Sequence, residues 1–305
     1  RDTDRSRGLG DVYKRQVQVE TVCWISASKI VLSTFFYLSA LICYIQYMRN
    51  SKWQYLLASV VSSILAMGCK EQSVIIVPCL LLFDWMLFKR NMRSLKVYIE
   101  KVYYLIPAIA IFIVTLVANK NTGEEIIGYT IVDRFIFLCY SSFKYLLISA
   151  IPFKLSYLYP FPFQVGEKIP MALWIYPFVI LFIGYVIYLN RRKPLLVFCT
   201  LFFILHLLPV LHVIPLPRYV VAADRYLYIP YIAFAIGLSI LSYHLYERQR
   251  KWILYAGFLY CSYLCVYTAG YAPAWKNSDT LKEHFKEVLK KRETNLSINF
   301  KHEKQ

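Results

Sequence analysis

Charge is scarce in this chain, and acidic charge is the scarcest. Only 17% of the 305 residues are charged, with 18 Asp and Glu against 35 Lys and Arg, while hydrophobic types make up 58%. Mean hydropathy is +0.46. That balance excludes an ordinary soluble enzyme and a disordered tail, both of which need more polar residues than this. With 10 Gly the chain is no collagen-like repeat. The eight Cys include no C-x-x-C pair and sit mostly in apolar stretches, so neither a disulfide framework nor a thiolate zinc site is expected. The five His make no ligand set: His206 and His212 are six apart, on different helix faces, and His244, His284 and His302 lie elsewhere. There is no P-loop and no G-x-G-x-x-G in a strand-to-helix setting, which argues against nucleotide use.

What is present is a series of long apolar runs. A bilayer is crossed by about 20 predominantly apolar residues in a helix. The runs are Val31 to Met48, Tyr55 to Met67, Ser73 to Phe88, Val102 to Val117, Trp174 to Leu189, Leu195 to Leu216, Ile229 to Leu245 and Trp252 to Gly270. The expected fold class is therefore all-α: a polytopic helical membrane protein with about eight spanning helices plus interfacial ones. The net charge of +17 would suit nucleic acid, but the basic residues cluster between the runs, as in cytoplasmic loops, so no nucleic-acid partner is expected. These clusters are Arg49 to Lys52, Lys89 to Arg93 with Lys96, Arg191 to Lys193, and Arg248 to Lys251. Placing all four inside leaves Val17 to Lys29, Gly68 to Gln72, Asn119 to Arg134, Ser156 to Met171 and Pro217 to Tyr228 outside. The scheme closes only if Phe135 to Phe153, which carries Tyr140, Ser141, Ser142 and Lys144, does not cross and forms an external interfacial or re-entrant helix.

Three polar constellations fall on the external side. The turn Lys70-Glu71-Gln72 interrupts two apolar runs, where charge costs a few kcal/mol unless paired or facing a wet cavity. A neutralised Lys-Glu pair in a hairpin turn is the plainer reading. Arg218, Asp224, Arg225 and Tyr226 stand at another mouth; two guanidinium forks suit phosphate, and an aromatic belt with a capping Asp is the alternative. The third stretch, Val17 to Lys29, holds Glu20, Trp24 and Lys29, and taken alone would pass as an interfacial anchor. Asp84 and Lys144 within apolar runs are weaker indications of an ion path.

Together these segments resemble a family. Val17-Gln-Val-Glu-Thr-Val-Cys-Trp-Ile-Ser-Ala-Ser-Lys29 is similar to the "HPV-x-VE-x-V-x-WIS-x-RK" stretch of the transmembrane and tetratricopeptide-repeat O-mannosyltransferases and their bacterial relatives. Cys69-Lys-Glu-Gln72 followed by Phe83-Asp84-Trp85 resembles their "CKEQ...YD" hairpin. Leu155 to Pro162 resembles "LS-x-x-YPYP", with Phe161 for the second Tyr, and Ala223 to Pro230 resembles "A-[ED]-RYLY-x-P". Trp275 to Leu281 resembles the "W-x-[ND]-x-x-TL" step into a first repeat helix.

The resemblance implies a GT-C-type glycosyltransferase. Such an enzyme moves a sugar, with inversion, from a polyprenyl- or dolichyl-phosphate carrier to a protein or glycan hydroxyl on the non-cytoplasmic face. It implies that Lys70, Glu71, Gln72 and Lys29 line the donor cavity, that Arg218, Asp224, Arg225 and Tyr226 meet the carrier phosphate, and that Glu20 is an acidic group near the reaction centre. Asp224 stands where the family often has Glu. No protein-built metal site is expected; a divalent cation bridging carboxylate and phosphate is compatible with the resemblance and not required by it. The implied address is integral in a membrane, preferably the bacterial inner membrane or else the endoplasmic reticulum, with the active face external.

Arg1 to Gln16 breaks from the rest in composition and resembles translated adapter sequence, a native basic leader being the alternative. It stands where the family has its catalytic acidic pair, so the expectation is a 17–271 transmembrane domain that is inactive as it stands, with Glu20 a weak substitute for the base. At the other end, 272–305 is expected to be an external amphipathic helix, with Leu281, Phe285, Val288 and Leu289 on one face, and a polar tail. Rival classes are a transporter or lipid-carrier flippase, disfavoured because no internal repeat is visible, and a non-catalytic membrane scaffold.

Overall fold

The apolar runs are helical, except that in the run expected over Leu195 to Leu216 the α-helix ends at Leu207, a 3-10 turn follows to Val210, and 212–216 lie outside the described residues. The computed structural model describes residues 28–119, 129–150, 159, 161–163, 165–211, 221–249 and 251–271. Glu20, Arg218, the leader and the expected C-terminal amphipathic helix lie outside them. Among the described residues there are nine α-helices: α1 (Ser28–Asn50), α2 (Trp53–Cys69), α3 (Ile76–Met86), α4 (Leu95–Asn119), α5 (Ile131–Ala150), α6 (Ile175–Leu189), α7 (Pro194–Leu207), α8 (Pro230–Gln249) and α9 (Lys251–Tyr271). Their only β pairing, among these residues, is an isolated antiparallel bridge between Tyr159 and Ala222. Among the described residues, three segments are long and apolar enough to cross a membrane: Ser28–Asn50, Leu95–Val117 and Met171–Leu189. Trp53–Cys69, Pro194–Val210, Pro230–Tyr243 and Tyr255–Val266 are apolar but shorter.

Two other expected runs differ in detail, for physical reasons. The run from Ser73 opens as a 3-10 turn, Glu71–Ile75, and only then becomes α3, with 11 α-helical residues. At about 2.0 and 1.5 Å per residue the two parts reach about 26 Å, close to the hydrocarbon thickness. The run expected from Val102 begins instead at Leu95, because the charged Glu100 and Lys101 are buried within the helix and matched by partners there.

The α1–α2 hairpin packs through small residues that let the backbones approach. Ser59 Oγ donates to Ala40 O at 2.7 Å and Ser33 Oγ donates to Ala66 O at 2.9 Å. Tyr104 of α4 then donates to Ser59 Oγ at 2.8 Å, tying a third helix to the pair. The hairpin turns at Ser51, whose φ of 54° is left-handed and whose N–H closes α1 on Tyr47 O at 2.8 Å. A side chain there costs about 1 kcal/mol that glycine avoids. Ser51→Gly is therefore expected to raise the thermal unfolding midpoint in detergent slightly, and a lower midpoint would refute the strain.

α5 packs against the segments around 163, 176 and 223. Near its start, Tyr129 donates to Phe163 O at 3.0 Å and Phe137 stacks on Phe163 with ring centroids 4.9 Å apart. Further along, Tyr140 packs edge-on against Tyr176, at the start of α6, and the Tyr145 hydroxyl accepts from Ala223 N at 3.2 Å. At its end, Ala150 O accepts from the Tyr260 hydroxyl of α9 at 3.1 Å. α6 itself has no buried residue and exposes Phe178, Leu181, Phe182 and Tyr185, an apolar surface suited to lipid rather than water.

Candidate functional site

Lys70 is placed by the way α2 ends. Its N–H caps the helix on Ala66 O at 3.0 Å, its own backbone is extended (φ −154°, ψ 124°), and Ser73 N–H returns to Lys70 O at 3.0 Å to start the 3-10 turn. Adjacent side chains consequently part company: Lys70 is 8% exposed and buried, whereas Glu71 is exposed. Across from it, a second 3-10 turn, Asp224–Leu227, is held by the segment before it. Val221 N donates to Tyr159 O at 2.8 Å and Tyr159 N to Ala222 O at 3.4 Å, so the bridge and Tyr145 together fix the approach to Arg225.

These two turns, the start of α1 and the end of α7 enclose a small polar cleft. Its wall includes Ser33, Lys70, Gln72, His206, Arg225 and Tyr226, and it encloses about 30 Å³, room for one or two water-sized groups. Lys70 Nζ and Arg225 Cζ each lie 5.2 Å from the centroid of the Tyr226 ring, so two cations share one aromatic ring. Beneath them Ser33 Oγ donates to Ala66 O, so at the 2.7 Å Ser33–Ser73 contact the Ser73 hydroxyl donates. The floor is closed by His206, whose Nε2 is 2.8 Å from the Tyr37 hydroxyl.

The expected site residues therefore separate. Lys70, Gln72, Arg225 and Tyr226 converge on the cleft. Glu71 and Lys29 are exposed and Asp224 is buried; none of these three is in the wall of this cleft. Local backbone direction separates neighbours here: Lys70 to Glu71 is the step into one 3-10 turn, and Asp224 and Arg225 are consecutive within the other. Glu20 and Arg218 lie outside the described residues. His206 and Tyr37 were not expected here; a His inside the run Phe202-Phe203-Ile204-Leu205-His206 was the only signal available.

The opposite end of the helices carries a second constellation that the sequence reading did not assemble. Asp84, fully buried near the end of α3, accepts from the Tyr44 hydroxyl at 2.6 Å and pairs with Lys101 Nζ at 2.6 Å. Arg90, in the basic turn after α3, grips Glu100 with both terminal nitrogens at 2.6 and 3.2 Å and lies 3.5 Å from Asp84. That hydrogen bond to Glu100 holds the Arg90 guanidinium above its ordinary value, against the opposing effect of burial. Two acids and two cations make the cluster neutral, which is what a buried ion network requires. Its contacts are among the protein's own groups, so it clamps α1, α3 and α4 rather than presenting a site.

Among the described residues no group of three or more His, Cys, Asp or Glu could hold a metal ion, and the Cys are free thiols. No family model, no curated protein and no solved structure matches the chain.

Proposed function

We propose that this chain is the membrane body of a GT-C-type glycosyltransferase that uses a polyprenyl-phosphate sugar as donor and a protein or glycan hydroxyl as acceptor. The observation that carries the reading is the convergence of Lys70, Gln72, Arg225 and Tyr226, brought from two distant turns to one cleft. Two cations over one ring in a partly buried cleft suit a phosphate group, since charge-assisted hydrogen bonds strengthen as water is excluded. In the reaction the acceptor oxygen bonds to the anomeric carbon, the bond from that carbon to the phosphate oxygen breaks, and a carboxylate takes the hydroxyl proton. Lys70 and Arg225 would stabilise the charge that gathers on the departing polyprenyl phosphate.

In this reading the chain crosses the membrane eight times and α5 stays on the external side. The basic turns, including Arg49 to Lys52 and Lys89 to Arg93, lie at one end of their helices and the cleft at the other. Single cysteines placed at Thr130 and Glu167 in a background without other Cys should react with an impermeant thiol reagent from the cleft side, and one at Lys193 from the opposite side. Labelling of Thr130→Cys and Glu167→Cys from different sides would sink the topology. The activity reading itself is tested by titrating the purified chain, in detergent, with a short-chain prenyl phosphodiester of a hexose. Saturable binding that a neutral prenyl glycoside does not compete supports it, and no binding refutes it.

A further inference from the structure

His206 is a titratable group built into the wall of this cleft for which the transfer chemistry has no use. Its Nδ1 lies 2.8 Å from Phe202 O, one turn back in α7, and its Nε2 lies 2.8 Å from the Tyr37 hydroxyl of α1. A carbonyl only accepts, so Nδ1 carries a proton. Nε2 then accepts from Tyr37 in the neutral ring and donates to it in the imidazolium, because a hydroxyl serves either role. The ring is held between a stack on Phe202, centroids 4.0 Å apart, and the edge of Tyr37 at 5.4 Å. Hydrogen-bond partners for both protonation states are thus in place without moving the side chain.

We propose that His206 with Tyr37 is a proton-responsive wall of the cleft, and that entry of a phosphodiester anion beside Lys70 and Arg225 draws a proton onto His206. This rests on the anion-binding reading given above. Burial of the ring and the groups around it decide the sign. Lys70 and Arg225, from the two turns, share the cleft wall with His206, while the buried Asp224 lies outside that wall. Tyr37 with its partner Cys79, and Tyr226 and Tyr228, complete the titratable neighbours, while α8 contributes Pro230. Imidazole is the side-chain type among these that ordinarily changes charge between pH 5 and 8. The ring is buried, and loss of water opposes a positive charge there; an anion bound in the adjoining cleft offsets that cost, so the proton and the anion bind cooperatively. By reciprocity the affinity for the anion falls as pH rises, by up to about tenfold per pH unit for one coupled proton.

The test is calorimetric titration of the full chain in detergent with the prenyl phosphodiester of a hexose, in two buffers of different ionisation heat, between pH 5.5 and 8 (about the imidazole range). A phosphodiester stays anionic throughout that range, so protons taken up on binding come to the protein. Wild type is expected to take up a fraction of a proton approaching one and to bind more weakly as pH rises. Both effects should flatten in His206→Gln and shrink in Tyr37→Phe, which removes the hydroxyl partner of the ring. A water-soluble hexose phosphodiester without the prenyl chain, run in parallel, should show the same uptake if it binds, placing the coupling in the phosphate rather than the chain. Binding without proton uptake, or uptake unchanged in His206→Gln, overturns the inference and leaves the anion site standing. Failure of both probes to bind at any pH overturns both. Should His206→Gln not fold, the wild-type slope and Tyr37→Phe still decide.

Discussion

Asp84→Asn is expected to destabilise the protein by about 3–5 kcal/mol, the cost of breaking a buried ion pair by removing one partner. Asp84 is fully buried and Lys101 is 3% exposed, so the lysine left behind has little water to turn to. The amide can still accept from Tyr44 but carries no charge to offset Lys101. Adding Lys101→Met removes the orphaned charge, and the double variant should recover most of the loss, because a neutral apolar replacement of both partners is often tolerated where half a pair is not. The measurement is a double-mutant cycle on thermal unfolding in detergent. A strictly additive cycle would show that the pair is not coupled. Glu100→Gln should cost less, since Arg90 is 18% exposed at the side chain and keeps access to Asp84 and to solvent. Arg90 offers no relief through pH, because the Glu100 contact holds it charged.

Lys70→Gln and Arg225→Gln should each weaken binding of the prenyl phosphodiester by about 10- to 100-fold, from about 1.5–3 kcal/mol per charge-assisted hydrogen bond. The two losses should not add, since both cations sit on the Tyr226 ring and would share one anion. Salt separates them further. Screening acts mainly on exposed charge, so raising ionic strength should weaken the contribution of the half-buried Arg225 more than that of the buried Lys70. Glu71→Gln serves as the internal control, because Glu71 is exposed and outside the wall. Equal affinities for wild type, Lys70→Gln and Arg225→Gln would remove the phosphate from this cleft. A large effect of Glu71→Gln would instead restore the grouping expected from the sequence.

Helical class, the positions of the apolar segments and the two polar turns were all legible before any coordinates. Val31 to Met48 and Trp174 to Leu189 lie within helices that extend beyond them by only a few residues, Ser28–Asn50 and the stretch from Met171 to Leu189. Lys70 and Arg225 also stood out, because charge beside long apolar runs is costly and hence conspicuous. Such features belong to a residue and its near neighbours, and hydropathy and period register them directly. Even so, neighbours mislead where the backbone changes course: Lys70 and Glu71 looked like one unit and are turned apart by the start of a 3-10 turn.

Which distant groups meet is a different kind of fact. Tyr37 and His206 are 169 residues apart in sequence, and Tyr44 and Asp84 are 40 apart. Their encounters depend on how far α1 is rotated and how closely the helices approach, which is set by small buried side chains such as Ser59 and Ala66. No local pattern encodes that rotation. Glu100 and Lys101 show the consequence most plainly: as sequence they are two charges near the edge of an apolar run, and only packing against Arg90 and Asp84 turns them into the interior of a helix. Composition and periodicity thus settle where the chain is helical and which segments suit a membrane, whereas the pairing of buried charges and the closing of the cleft arise from contacts between helices, because burial of a charge is tolerated only once its partner is in place.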